Sequence, residues 1–331
     1  MVDSRRIRTL AATVAALVAL AALTGCTTEP IDTGALKSES TAPLRSGPTV
    51  AHIADADVVP VETDPPVSPR SERIVALDRN GTLGTIVYAL GLGSHVVGRD
   101  KSTTFPSALD VPEVTDTGHT INTERVLDTD PTIVLTGTDA NPSTAVDALR
   151  DAKIDVVTFD SERSVATTPT LIRDVAEALG VPEAGEKLIA RTEQQIDEAK
   201  RSIPDPSGDP TIAFLYIRGE HLILMSGPDS GADDLIEQLG GVDAGTKAGL
   251  TAAFTQVSTE KMMKADPDVI LVMTQGADSV GGMGKVLELP AVAETKAGRA
   301  KRIVAMDETQ ILMFGPDTGQ VLQSLAKAIY A

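Results

Sequence analysis

TERVLDTDPTIVL (residues 123–135) and TEKMMKADPDVIL (residues 259–271) are two copies of one pattern, separated by an offset of 136 residues. Each copy has a polar start, a short stretch with helical spacing, an Asp-Pro pair and an apolar run. These features predict a helix, a turn and a buried strand, which is half of an α/β unit. Because internal duplication sets an architecture, the pattern predicts two similar α/β lobes with a cleft between them.

A weaker repeat supports this architecture. RIVALD at residues 73–78 is similar to RIVAMD at residues 302–307, and both runs are short and apolar like buried strands. Each lobe also carries a glutamate at the matched position, Glu124 in the first copy and Glu260 in the second. The two glutamates are therefore candidate docking points for a partner that contacts both lobes.

The N-terminal residues indicate export. Three arginines within the first eight residues precede an apolar run at residues 10–23, which is shorter than the roughly 20 residues needed to span a bilayer. LTGC at residues 23–26 resembles the lipobox of bacterial lipoproteins. The resemblance implies removal of a signal peptide, residues 1–25, and a lipid on Cys26, which anchors the chain at the extracytoplasmic face of the cell membrane. An ordinary cleaved signal is the alternative, and both the export route and the envelope type stay open.

Composition limits the stretch after the signal and the class of partner. Residues 26–70 are rich in Pro, Thr, Ser, Asp and Gly, so we predict a disordered tether there. The formal net charge of −18 disfavours nucleic acid and anionic membrane surfaces as direct partners. Aromatic residues make up 2% of the chain and Trp is absent. The core is therefore expected to consist of Ala, Val, Leu and Ile.

Strand and helix patterns alternate through the rest of the chain. We predict an N-terminal lobe at residues 71–168, linking helices at residues 169–203 and a C-terminal lobe at residues 204–331. Pro182 can occupy the first turn of the longer linking helix, which we expect to run to about Ser202. Some 20 residues at a rise of 1.5 Å span about 30 Å, roughly the width of a small lobe. This helix is therefore predicted to be a rigid spacer.

Two lobes joined by one long helix resemble the helix-linked substrate-binding proteins of ABC importers, which serve siderophores, cobalamin and haem. The resemblance implies two Rossmann-like α/β lobes, one rigid connecting helix and a ligand cleft between the lobes. It also implies that Glu124 and Glu260 form salt bridges with arginines of the membrane permease, through which the chain acts with the ATPase. A monomer is expected.

Two residues in unusual contexts are candidates for the cleft. His119 lies in a loop directly before the first copy of the repeat, and Tyr216 lies near the end of the strand that begins the second lobe. Arg218 shares a strand face with Tyr216, so its guanidinium can lie beside the phenol. A neighbouring cation favours the phenolate, which is an anionic donor suited to ferric iron.

GHTINTE at residues 118–124 and YIRG, which begins at Tyr216, resemble segments of the haemin-binding lipoproteins of Gram-positive haem importers. The resemblance implies that His119 and Tyr216 coordinate the haem iron from opposite sides. It further implies that Arg218 hydrogen-bonds the tyrosine and that Met273 packs beside the ligand. Haem is then the transported ligand.

Position alone suggests one more contact, and other functions stay open. Arg79 follows the first strand and could pair with a haem propionate. A ferric-siderophore or cobalamin carrier of the same class is the alternative, although the chain is poor in the aromatic residues of siderophore sites, and cobalamin gives no reason for Tyr216 beside Arg218. A lipid-anchored enzyme is a further alternative. The sequence lacks Gly-x-Ser-x-Gly, His-Glu-x-x-His and Gly-x-x-x-x-Gly-Lys motifs, so no catalysis is expected.

Overall fold

Two β-sheets organise the part of the chain that the computed structural model describes, residues 43–53, 57–62, 68–204 and 209–330. The predicted signal peptide and Cys26 lie outside these residues. The strands are β1 (Gly47–Val50), β2 (Ile74–Leu77), β3 (Val96–Arg99), β4 (Thr115–Asp116), β5 (Thr120–Ile121), β6 (Ile133–Gly137), β7 (Asp155–Phe159), β8 (Thr211–Arg218), β9 (Leu222–Ser226), β10 (Val242–Asp243), β11 (Phe254–Gln256), β12 (Val269–Met273) and β13 (Arg302–Met306). The helices are α1 (Thr82–Ala89), α2 (Thr123–Asp128), α3 (Ser143–Asp151), α4 (Thr168–Leu179), α5 (Pro182–Ser202), α6 (Ala232–Gln238), α7 (Ala244–Lys247), α8 (Thr259–Ala265), α9 (Thr274–Asp278), α10 (Met283–Glu288), α11 (Pro290–Ala293), α12 (Lys296–Ala300), α13 (Glu308–Ile311) and α14 (Thr318–Ile329). None of these helices is both long and apolar enough to cross a membrane.

The first sheet forms the centre of the first lobe, with four parallel strands in the order β3-β2-β6-β7. Every residue of β2 and β6 is buried, as expected for parallel strands that are covered on both faces. Alternate residues enter two separate cores. Ile74 and Ile133 pack with α1 and α4, whereas Val75 and Val134 pack with α3. The carboxyl ends of the strands share one edge, and the loops that follow them line the cleft.

The second sheet has the strand order β1-β13-β12-β8-β9-β11, with β10 beside β8. Its centre is parallel, because β1, β13, β12 and β8 run in one direction, and β9 and β11 are added antiparallel to it. All of β12 is buried. Phe214 on β8 enters the core on one face of the sheet and Leu215 enters the core on the other. This is the second α/β lobe that the sequence repeat predicts.

Helix α5 joins the two lobes and contributes to the core of each. Its first half places Leu188 and Ile189 in the core of the first lobe, and its second half places Ile196 and Ala199 in the core of the second. Pro182 occupies its first turn, where a missing N–H breaks no helical hydrogen bond. The predicted fold class of two α/β lobes, one long helix and a cleft is confirmed.

Close approach between helices fixes α5 against the second lobe. A Cβ added at Gly319 of α14 would come within 2.6 Å of the backbone carbon of Gln195 on α5. Only a residue without a side chain allows α14 to approach the backbone of α5 so closely. The contact therefore depends on one glycine.

We expect Gly319→Ala to destabilise the protein, because an added methyl group meets backbone atoms that cannot rotate away. The cost should be about 1–3 kcal/mol, typical of an overpacked core, which lowers the thermal midpoint by several degrees. The matched control is Gly284→Ala on exposed α10, where an added Cβ meets nothing within 4 Å and helix propensity favours alanine. Calorimetry of both variants checks this, and equal midpoints would contradict the close-packing argument.

The prediction of a disordered tether at residues 26–70 is wrong for residues 47–51, for Ile53 and for Val61, which the structure shows in a strand or in a core. Strand β1 pairs in parallel with β13, in a register that places Gly47 beside Arg302, and Ile53 is buried in the core of the second lobe. Further along, the Val61 N–H donates to the Ala89 carbonyl oxygen at 2.8 Å, and Val61 is buried in the first lobe. Pairing of its backbone with the edge of the second sheet orders β1. The apolar residues around β1 are too sparse to give a periodic signal that would have predicted the strand.

Candidate functional site

Tyr216 is held at the carboxyl end of β8 by contacts on its ring. It lies on the same face of the sheet as Phe214, and the ring of Phe254 on β11 meets it edge-on, with centroids 6.2 Å apart. The guanidinium carbon of Arg218 lies 4.5 Å from the centroid of the Tyr216 ring. This distance is within the range of a cation–π contact. Tyr216 and Arg218 are therefore neighbours, as the sequence predicts, and the guanidinium lies over the tyrosine ring.

Tyr216 lines a cleft of about 540 Å³ whose walls come from both lobes. This volume lies within the range of ligand pockets in proteins. Met273, at the end of β12, and Arg79, in the loop after β2, line the same cleft. The apolar part of the wall comes from the second lobe, and its large members are Leu224, Phe254, Leu312 and Phe314. One cleft therefore combines an apolar surface with a phenol and several charged groups.

His119 lies beside this cleft, in a small pocket that adjoins it. Arg79 and Asp139 line both spaces. His119 follows Gly118 in the turn between β4 and β5, and both residues have positive φ, 61° for His119 and 73° for Gly118. Its Nδ1 atom is buried and has no hydrogen-bond partner among the described residues. A non-glycine residue in the left-handed region with an unpaired ring nitrogen is a combination found at ligand sites.

The surroundings of His119 favour its neutral imidazole. Burial lowers the pKa of His119 below its ordinary value of 6.5, and nearby positive charges, first that of Arg79, lower the pKa further. Arg218 is among these cations although it belongs to the other lobe. A neutral imidazole nitrogen is the form that binds metals, so this environment favours the form of His119 that is able to coordinate a metal.

A buried ionic network under the cleft was not predicted from the sequence. Asp100 accepts hydrogen bonds from the backbone N–H groups of Asp78, Ser102 and Thr103 at 2.7–3.0 Å. The Asp78 carboxylate lies 3.4 Å from the guanidinium of Arg163, and both side chains are more than nine-tenths buried. Arg163 belongs to the segment between β7 and α4 and also lines the cleft. Through this network, the segment between β7 and α4 contacts the carboxyl ends of strands β2 and β3 in the first lobe.

Burial changes the titration of both carboxyl groups. It raises the pKa of Asp100 to about 7, with the negative charge of Asp78 as the next cause. It also raises the pKa of Asp78, and the charge of Arg163 opposes part of this rise. Two carboxylates and one guanidinium therefore share a largely buried site, and the pKa of one of the carboxyl groups lies near neutral pH.

We predict that stability falls as pH rises from about 4 to about 7. The folded state keeps the Asp100 proton over this window while the unfolded state, with its ordinary pKa of 3.8, releases it, so rising pH favours unfolding. Each pKa unit is worth about 1.4 kcal/mol. Denaturant titrations at pH 5 and pH 7.5 should show a flatter pH dependence for Asp100→Asn than for the parent or for the exposed control Asp110→Asn. The same dependence of the free energy of unfolding on pH in all three proteins would contradict the role of Asp100.

The other charged residues that the sequence singled out lie at the surface. Arg79 is exposed and its Nε lies 3.6 Å from an Asp139 carboxylate oxygen, while the Ser161 hydroxyl donates to the same carboxylate. Glu124 and Glu260 are exposed on α2 and α8. The structure therefore brings Tyr216, Met273 and Arg79 to one cleft, with Arg218 over the Tyr216 ring and His119 in the adjoining pocket, and leaves the two glutamates outside the cleft.

Comparison with known proteins places the chain in a family. The sequence profile described as periplasmic binding protein matches residues 55–309, which is more than half of the chain. The chain belongs to the periplasmic binding protein family. Its two-lobed fold is the fold of that class, and the family consists of substrate-binding proteins that act outside the cytoplasm.

Solved structures with similar folds include haem-binding proteins. The heme binding protein HmuT is 34% identical, with a TM-score of 0.80, and the match covers 86% of this chain and 98% of HmuT. The periplasmic heme-binding protein RhuT from Roseiflexus sp. RS-1 is 36% identical, with a TM-score of 0.73 and coverage of 78% and 97%. HmuT has also been crystallised as alanine variants of a histidine, of a tyrosine and of an arginine two positions after that tyrosine.

Curated relatives are more distant. The ABC transporter substrate-binding lipoprotein YvrC of Bacillus subtilis, whose function is uncharacterised, is 26% identical over 272 residues, which is 81% of this chain and 82% of YvrC. A cobalamin-binding protein of Halobacterium salinarum is 25% identical over 263 residues, 78% of this chain and 69% of that protein. The relatives thus include binders of two different metal-containing macrocycles.

Proposed function

We propose that this chain captures haem in the cleft between its lobes, outside the cytoplasm, and delivers it to the permease of an ABC importer. The observation that carries the proposal is Tyr216 in the cleft wall with the Arg218 guanidinium over its ring. No bond of the ligand is made or broken in this function. The chain therefore acts as a carrier and not as an enzyme.

The donor atoms suit ferric haem. Tyrosine is an axial haem ligand in proteins, and the guanidinium of Arg218 lies over the ring of Tyr216. His119, whose neutral form burial favours, is the candidate for the opposite axial position. The iron would then be held by one residue from each lobe, which makes binding depend on the arrangement of the lobes.

The rest of the cleft suits the porphyrin. Its flat apolar face requires an apolar wall, which Phe254, Phe314 and Met273 supply. Its two propionates require cations or hydrogen-bond donors at the rim, and Arg79 is the candidate there. The histidine, the tyrosine and the arginine two positions after it in the HmuT variants correspond in type to His119, Tyr216 and Arg218, and the step from tyrosine to arginine is the same. This correspondence supports the same roles in this chain.

Delivery completes the proposed function. Glu124 and Glu260 would pair with basic groups of the permease, one on each lobe. Lipidation of Cys26 would keep the carrier, as a monomer, at the outer face of the membrane. A permease that holds both lobes can change the distance between the two axial ligands, and this would release the haem.

We expect ferric haemin to give the purified chain a shifted Soret band, and Tyr216→Phe to weaken haemin binding at least tenfold. This variant keeps the ring that packs on Phe254 and removes only the oxygen donor. The control is Tyr88→Phe, outside the cleft, where the hydroxyl donates to the Ser107 carbonyl oxygen at 3.3 Å. Absorbance titration measures both affinities. An unchanged haemin absorbance spectrum in the double variant His119→Ala, Tyr216→Ala would contradict the assignment of these residues as iron ligands.

Arg218→Ala should weaken haemin binding less than Tyr216→Phe does, by severalfold, because the guanidinium contacts the tyrosine ring and is not itself a ligand of the iron. Absorbance titration with haemin measures the loss. Arg173→Ala, an exposed residue paired with Glu186, is the control. An affinity equal to that of the parent, or a loss as large as that of Tyr216→Phe, would contradict this role of Arg218.

Cobalamin is the second candidate, and the cobalamin-binding relative is the observation that favours it. Its cobalt could accept one nitrogen ligand from His119, but this leaves the Tyr216–Arg218 pair without a role. Titration with cyanocobalamin beside haemin separates the two ligands. Saturable binding of cyanocobalamin with no haemin spectrum would replace the haem assignment.

A further inference from the structure

Helices α2 and α8 are structural equivalents, residue by residue. The Asn122 side chain caps α2 by accepting from the Arg125 N–H at 3.1 Å, and the Ser258 hydroxyl caps α8 by accepting from the Lys261 N–H at 3.2 Å. Each helix is then followed by an aspartate with positive φ, 47° and 36°, directly before a proline. The sequence repeat is therefore also a repeat in three dimensions. Matched positions present matched faces on the two lobes.

One matched position on each helix exposes a large apolar side chain. Leu127 is 40% exposed and Met263 is 43% exposed, and they are separated by the same offset as Glu124 and Glu260. Their preceding residues, Val126 and Met262, are completely buried. Each exposed apolar residue follows its glutamate by three positions, which places both on one face of the helix.

This coincidence is informative because exposed apolar residues are few. Seven large apolar side chains are exposed in the described part of the chain: Val50, Val59, Leu109, Leu127, Leu222, Val242 and Met263. Two of the seven occupy equivalent positions beside the two candidate docking glutamates. An apolar side chain left in water at the same place on both lobes indicates a surface that another molecule covers.

The side chains that differ between α2 and α8 cannot form the same contact with a partner on both lobes, so the shared side chains are the candidates for such a contact. The next position carries Asp128 on α2 and Lys264 on α8, which have opposite charges. Arg125 pairs with Asp116 at 3.1 Å, whereas Lys261 forms no ion pair within residues 43–53, 57–62, 68–204 and 209–330. What both lobes share is an exposed carboxylate with an exposed apolar side chain one turn later.

We propose that Leu127 and Met263 are the apolar contacts of a two-part docking surface that they form with Glu124 and Glu260. The surface suits a membrane protein built from two identical subunits, each offering a basic side chain to the glutamate and an apolar recess to the leucine or methionine. This inference rests on the proposed delivery to a permease and adds the apolar residues to it. An exposed ion pair alone contributes little to affinity, and apolar contact beside it excludes water and strengthens the pair.

The first experiment measures haem-dependent uptake in cells whose only copy of this chain is a variant. Leu127→Ser and Met263→Ser should each reduce uptake of haemin iron severalfold, and the double variant at least tenfold, without changing the haemin affinity of the purified chain. The controls are Leu109→Ser on the first lobe and Val242→Ser on the second, at residues that are 55% and 37% exposed. Full uptake by the double variant, or an equal loss in the controls, would overturn the proposal.

The second experiment identifies the partner independently of the ligand. A photoreactive p-benzoylphenylalanine is placed at position 127 or 263 of the full chain in cells, with positions 109 and 242 as controls. We expect positions 127 and 263 to give adducts of the same polypeptide, identified by mass spectrometry as an ABC permease subunit, and the controls to give none. Adducts to two different polypeptides, to a protein that is not a permease, or to nothing would overturn the docking surface.

The two assignments can fail separately. Permease adducts from a chain that does not bind haemin would keep the docking surface and remove haem as the ligand. Haemin binding without permease adducts would keep the ligand and remove the docking surface.

Discussion

The apolar stripe of α5 is shared between two cores, and the arrangement of the site depends on this. Leu188 is buried with the first lobe and Ile196 with the second, so neither lobe can rotate far without exposing apolar surface of the same helix. At about 25 cal/mol for each Å² of apolar surface, even partial separation from the helix is costly. The lobe that carries His119 and the lobe that carries Tyr216 are therefore restricted to a narrow range of relative positions.

Much of the fold was accessible from the sequence because duplication and burial leave local signals. The repeated Thr-Glu units, the fully apolar strands and the proline at the start of α5 each predicted an element that the structure contains. Tyr216 and Arg218 were predictable as neighbours because side chains two residues apart share a strand face. These inferences need only the geometry of one element.

The parts that sequence reasoning missed depend on residues distant in the chain. Asp78, Asp100 and Arg163 meet only because the first sheet brings the ends of β2 and β3 together with the segment that leaves β7. In the sequence, Asp78 was visible only as the last residue of the RIVALD repeat, and no spacing rule linked it to Asp100 or Arg163. Strand β1 was missed for a similar reason, since its order comes from pairing with β13, more than two hundred residues later. The equivalent exposure of Leu127 and Met263 required accessible areas, although their positions in the repeat were available.

Strand β1 also determines how a force on the N-terminus enters the molecule. It lies at the edge of the second sheet, parallel to β13, and hydrogen bonds join the Arg45 N–H to the Ile329 carbonyl oxygen and the Ala51 N–H to the Ala305 carbonyl oxygen, both at 2.8 Å. Tension from the proposed anchor at Cys26 would reach the described part of the chain at this segment, so these hydrogen bonds would be among the first to bear the load. A carrier pulled against a moving bilayer would thus transmit the strain to the lobe that holds Tyr216.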